Sequence, residues 1–251
     1  MKILRAVPLG IAICFLLVGC HAPAKARQTD SRVEALLEEE AGGGVLEEPQ
    51  DKPHGGGETP EDEPQIIKKY QNLYDANNDM IGFIYLPDGY RYPVVQRVED
   101  QNHYEKHNFF GEPDREGAVF ASMYTELGEQ GISLIYGHNL KSGRMFSILR
   151  NYLEEGYFTG HSRIRIDTLY EEMEYEVVAV ALTSLHEDFQ YYAYSGFQTE
   201  ASFHEWQEGF EPYCVIGSLS GLSYSDKVAE LSTCWYHVED GRLVVILRAS
   251  D

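Results

Sequence analysis

Short apolar runs recur along this chain from residue 81 to residue 248, each closed by glycine, proline or small polar residues. That repetition leaves room for little besides a sheet of many short strands. Ile81-Gly82-Phe83-Ile84-Tyr85-Leu86 and Arg91-Tyr92-Pro93-Val94-Val95-Gln96 flank Pro87-Asp88-Gly89, the pattern of a hairpin. Pro93 has no N–H for a ladder and predicts an edge or a bulge in the second strand. Further strands are expected near 117–122, 131–136, 162–167, 174–183, 227–233 and 242–248. Helical spacing is sparser. Ile66, Ile67, Tyr70, Leu73 and Tyr74 predict a first helix, and 101–108 a short one. Met145, Phe146, Ile148, Leu149, Tyr152 and Leu153 predict a helix over 143–155. Phe203, Trp206, Gln207 and Phe210 predict another inside a long connection, 184–226. The 18 tyrosines suit strands and half-polar surfaces. Many strands with few helices predict a mainly β protein built as a closed or nearly closed barrel.

The strands begin only after an N-terminal region of different character. Lys2 and Arg5 precede an apolar segment from Ala6 to Gly19 that contains Pro8 and Gly10. As a helix it would reach about 21 Å, short of the roughly 30 Å hydrocarbon core, so it reads as a secretory signal rather than a span. It ends in Leu17-Val18-Gly19-Cys20, which resembles a bacterial lipobox with Cys20 as the lipidated residue; an uncleaved signal anchor is the alternative. Residues 21–64 carry twelve Asp and Glu against four Lys and Arg, two glycine triplets and five prolines. That composition predicts an acidic, disordered linker that extends by self-repulsion. The expected organisation is therefore a signal at 1–20, a linker at 21–64 and one domain at 65–251, outside the cytoplasm at the membrane surface. The net charge of −21 argues against nucleic acid and against a polybasic grip on anionic lipid.

Three positions in the domain can carry chemistry. Cys234 ends the run Leu231-Ser232-Thr233-Cys234, where a thiol at a strand end is presented at the rim of a sheet. A neighbouring imidazole and a cation would make it a nucleophile. A disulfide with Cys214 is the competing reading, and no spacing of Cys and His supports a metal. His138 follows the apolar run Ile132–Tyr136 and Gly137, just past a strand, where functional groups are displayed, and an imidazole is the side chain best suited to proton transfer near neutral pH. His237, three residues from Cys234, is its rival, whereas His107, His161 and His186 read as surface or packing residues. Arg242 opens the last apolar strand and offers a permanently charged set of donors for a carbonyl or an oxyanion. Arg248 lies about 20 Å further along that strand.

In this order, His138 within Tyr136-Gly137-His138-Asn139, then Leu-Ser-Thr-Cys at Cys234, then Arg242 before an apolar strand, the chain resembles the sortase family over residues 65–251. IGFIYLPDGYRYPVVQ, YEKHNFFGEPDREGAVFAS and the long helix-bearing connection resemble class B in particular. The resemblance implies an eight-stranded sortase barrel with an N-terminal helix and helices in the loops. It implies a cysteine transpeptidase in which Cys234 is the nucleophile, His138 the acid or base, Arg242 the oxyanion or substrate-positioning cation, and Ser232 a residue near the substrate groove. No cofactor is implied. The implied partners are secreted proteins bearing a sorting motif, NPQTN-like or (S/N)PxTG-like in class B. The implied acceptor is an amine of a cell-wall precursor or of another surface protein. Two departures stand out. Glu230 occupies the place of the first Thr in the common TLSTC run, and Trp235 follows the cysteine where some class B members have an acidic residue. A hydrolase using water as acceptor and a non-catalytic surface lipoprotein on the same scaffold are the competing classes.

Overall fold

A computed structural model describes residues 29–42, 64–196 and 198–250. Residues 1–28, which hold the expected signal segment and Cys20, and residues 43–63 lie outside the described residues. The helices are α1 (Ser31–Gly42), α2 (Gln71–Ala76), α3 (Glu155–Gly160) and α4 (Glu200–Phe210). The strands are β1 (Met80–Tyr85), β2 (Arg91–Val95), β3 (Val119–Ala121), β4 (Gly131–Tyr136), β5 (Arg163–Thr168), β6 (Glu174–Ser184), β7 (Cys214–Gly217), β8 (Lys227–Cys234) and β9 (Gly241–Ala249). None of the described helices is long and apolar enough to cross a membrane.

The sheet runs β5-β1-β2-β3-β4-β8-β9-β6, and β6 pairs back onto β5, so eight strands close in a ring with β7 added outside β6. The expected eight strands thus form the ring. β7 is a ninth strand that the reading of 184–226 as a connection missed, because four residues are too few for a periodic signal. The β1–β2 hairpin turns on Asp88 and Gly89, both left-handed (φ 58° and 79°), which suits the twist of the flanking strands. β3 joins β2 only from Val94 onward, so Pro93 has β1 as its ladder neighbour, and the register shift falls in β1 between Met80 and Gly82.

Alternation along the strands creates separate cores. On β9, Leu243, Val245 and Leu247 point into the ring with Leu231, Ile135 and Phe146. Val244 and Ile246 face outward, under a cover formed by Phe203, Trp206 and Phe210 of α4 and by Tyr191. Both faces of β9 are buried, which is why its sequence is continuously apolar. A third cluster packs Tyr70, Leu73, Phe83, Val95 and Tyr104 on the outer face of β1 and β2.

Two helical expectations change. Over 143–155, Gly143 and Met145 are left-handed (φ 79° and 53°), so helix cannot begin before Phe146; Phe146–Leu153 then forms a 3₁₀ helix followed by α3. The turn His103–Glu105 is all the helix that 101–108 contains. The larger correction concerns the linker. Residues 31–42 form α1, with Val33 fully buried in the third cluster. Glu34 pairs with Arg91, and Arg32 with Glu112 at 2.8 Å. The apolar stripe Val33, Leu36 and Leu37 is short, so average composition concealed it.

Candidate active site

Strand directions bring the three candidates to one rim. β4 and β8 are parallel neighbours, in register from Gly131↔Lys227 to Tyr136↔Ser232, so their C-terminal ends emerge together. His138 follows β4 and Cys234 ends β8. β9 runs antiparallel to β8, so its beginning lies at the same rim, and Cys234 pairs with Arg242. Direct partners in an antiparallel pair share a face, with Cβ atoms about 5 Å apart. Cys234 shares the outer face with Ser232 and Glu230, two and four residues back. All three candidates line one open cleft of about 380 Å³.

Each group is held by backbone near the strand ends. The β4–β8 ladder finishes with Gly137 N–H donating to Ser232 carbonyl (3.2 Å). Thr233 Oγ1 donates to Gly137 carbonyl at 2.6 Å. Gly137 has no room for a side chain, since a Cβ there would lie 2.6 Å from the Phe146 ring. His138 Nε2 lies 2.9 Å from Glu105 carbonyl, which can only accept, so Nε2 carries a proton and Nδ1 is left for exchange. Gly117, left-handed at φ 63°, lets the backbone of Tyr104 and Glu105 close over the same imidazole. Arg242 Nη1 donates to Asp240 and Gly241 carbonyls at 3.1 and 3.0 Å, which anchors one end of the guanidinium.

The walls come from segments whose sequence carried little signal. Gln101, Asn102 and Glu105 lie on one side, and Leu185, Tyr191 and Tyr192 on the other. Tyr136 packs against Phe120 with ring centroids 5.3 Å apart, and burial holds its phenol above the ordinary range. Ser232 lies in the floor, buried, and shares a hydrogen bond with Tyr191 at 2.8 Å. Tyr136 and Thr233 were readable as neighbours of His138 and Cys234. Tyr191 and Tyr192 were not, because nothing in a long connection says where it folds back.

The rival residues sit elsewhere. His237 is exposed on the β8–β9 turn, with Nδ1 3.3 Å from Trp235 carbonyl. Arg248 pairs with Glu176 at 2.8 Å and contacts Gly221 carbonyl at the other end of β9. Cys214 and Cys234 are free thiols. They lie on β7 and β8 with β9 and β6 between them, about 14 Å at the usual strand spacing and beyond disulfide reach. Burial pushes the Cys214 thiol up to about 12, which suppresses its thiolate. Among the described residues no group of His, Cys, Asp and Glu is arranged to hold a metal.

Beneath the cleft, Glu230 is fully buried among the outer-face apolar residues. Its Oε1 accepts from Trp206 Nε1 at 2.9 Å, and its Oε2 has no partner among the described residues. Burial pushes this carboxyl up to about 8, so it is mostly neutral at neutral pH.

A ring of eight strands with a cysteine, a histidine and an arginine at one rim is the arrangement of a sortase-like cysteine acyltransferase. The chain is 30% identical to sortase B of Listeria monocytogenes over 186 residues, covering 72% of this chain and 74% of that one. It is 25% identical to sortase B of Staphylococcus aureus, covering 73% and 75%. Among solved structures, a Staphylococcus aureus sortase B–substrate complex superposes with a TM-score of 0.65 at 24% identity, over 74% of this chain and 87% of that one. A Bacillus anthracis protein described as similar to sortase B gives a TM-score of 0.68 at 24% identity, over 87% and 92%. No protein-family model matches the chain. The chain belongs to the class B sortases, a family of cysteine transpeptidases.

Proposed function

We propose that this chain cleaves a C-terminal sorting motif of secreted proteins through a thioacyl-enzyme on Cys234 and transfers the acyl group to an amine. The observation that carries the reading is the cleft itself, which His138, Cys234 and Arg242 line together from three strand ends. In the first step the Cys234 sulfur attacks the carbonyl carbon of the motif's threonine. The carbonyl oxygen takes the negative charge, facing the guanidinium of Arg242. The intermediate collapses with breakage of the C–N bond, and the departing amine takes a proton from His138 Nδ1. In the second step an acceptor amine attacks the thioester carbon and gives its proton back to His138, and the C–S bond breaks to restore the thiolate. The two steps are a transfer with no net redox change, and the three side chains supply every proton and charge involved.

Ser232, in the floor of the cleft, is the residue near the substrate groove in this scheme, and it also holds Tyr191, one of the walls. The motif is NPQTN-like or (S/N)PxTG-like, and the acceptor is an amine of a cell-wall precursor or of another surface protein. We assign the chain to the extracytoplasmic face of a bacterial membrane, held by a lipid on Cys20 or by an uncleaved signal; the pattern of residues 1–20 supports this. The test is product analysis with a motif peptide, with and without triglycine. Transpeptidation predicts a peptide–triglycine product that dominates when the amine is present. Only the hydrolysed peptide under both conditions would make the chain a hydrolase.

A further inference from the structure

The β4–β8 backbone ladder stops at Gly137 and Ser232, one residue short of His138 and two short of Cys234. Past that point side chains hold the two strand ends together. One such link is Asn139, whose Nδ2 donates to the carbonyl of Cys234 at 3.0 Å. We propose that Asn139 is a positioning residue for the Cys234 nucleophile; this rests on the reading of Cys234 above.

The argument concerns one peptide plane. The unit joining Cys234 to Trp235 is gripped at its carbonyl by Asn139 and at its N–H by Gly241 carbonyl (2.8 Å). On its N-terminal side Cys234 is held by the pairing of β8 with β9. Fixing both adjoining peptides fixes φ and ψ of Cys234, and with them the heading of its Cα–Cβ bond at the cleft, so that Sγ is left only the staggered χ1 positions about that bond. Asn139 is itself rigidly mounted. It bridges to Met145 in an antiparallel pair, and the carbonyl of His138 accepts from Phe146 N at 3.0 Å. Ser147 Oγ closes the same turn on Leu140 N at 2.6 Å. The side chain that orients the cysteine therefore stands on the residue next to the histidine, so any movement of His138 carries the clamp with it. An amide suits the task because it is short and donates. An ionised aspartate of the same shape would set a negative oxygen against a carbonyl oxygen.

The test compares wild type, Asn139→Ala, Asn139→Asp and Cys234→Ala, using the full chain, a peptide bearing an NPQTN-like motif, and triglycine. Thermal midpoints are measured alongside, so that unfolding is not read as lost positioning. Asn139→Ala is expected to lower kcat by about tenfold or more, with KM within twofold. Asn139→Asp is expected to lose at least as much at pH 8. Its activity relative to wild type should then recover as pH falls toward 5 and below, because a protonated carboxyl regains an O–H donor; Asn139→Ala should show no such recovery. Full kcat in both variants, a loss confined to KM, or an Asn139→Asp deficit independent of pH would overturn the proposal. Turnover that survives Cys234→Ala would instead overturn the reading on which it rests.

Discussion

Cys234 and Arg242 are the last register pair of β8 and β9 before the turn that joins them. The candidate nucleophile and the candidate oxyanion partner are thus cross-strand neighbours on one face, and the fold sets their separation rather than a flexible loop. Arg242→Lys removes the planar fork while keeping a charge. We expect kcat to fall about 10²-fold, the scale of a lost oxyanion donor. Arg248→Lys should leave turnover unchanged, because that residue pairs with Glu176 at the other end of the strand. Steady-state kinetics on both variants check this.

Gly137→Ala should damage both stability and turnover. The added Cβ would meet the Phe146 ring at 2.6 to 2.9 Å in the core inside the ring of strands, and overpacking of this kind costs roughly 1–3 kcal/mol. A domain of this size should lose several degrees in thermal midpoint. Because Gly137 precedes His138, the residual folded enzyme should also turn over more slowly. An unchanged midpoint would mean that Phe146 yields without cost.

Glu230 gives stability a pH dependence of unusual sign. Its folded pKa, about 8, lies above the ordinary carboxylate value, so the unfolded chain releases this proton first. Its contribution is fully present below about pH 4.5 and is lost progressively as pH rises toward 8. Glu230→Gln should flatten the fall in unfolding free energy between pH 5 and pH 8 relative to wild type. Urea titrations at the two pH values measure the difference, and parallel slopes would place the carboxylate in contact with water.

Helix α1 should contribute to stability although it lies in an acidic stretch. Val33→Ala removes buried apolar surface worth about 1–2 kcal/mol. A chain beginning at residue 64 loses the Glu34–Arg91 and Arg32–Glu112 pairs as well. Both are expected to melt a few degrees below the full chain. Identical midpoints would mean that the helix rests on the domain without holding it.

The strands were legible because their apolar runs are interrupted by turn residues, and the rim cluster because His138, Cys234 and Arg242 each adjoin such a run. What escaped the sequence depended on tertiary placement. Asn139 looks like one more polar residue after a histidine until a carbonyl 95 positions away meets it. Glu230 read as a departure from a motif, and only its burial against Trp206 makes it a titrating group. Helix α1 was hidden by the charge around it, and the 3₁₀ helix at Phe146–Leu153 was read too early because left-handed Met145 leaves no trace in hydrophobic periodicity.

The most direct test of the central claim is the intact mass of the full chain after incubation with a motif peptide, followed by peptide mapping. The account predicts an acyl adduct on Cys234 that disappears when triglycine is added, with the peptide–triglycine product formed in its place and no adduct in Cys234→Ala. Turnover of the peptide with Cys234 unmodified throughout, or undiminished in Cys234→Ala, would contradict it.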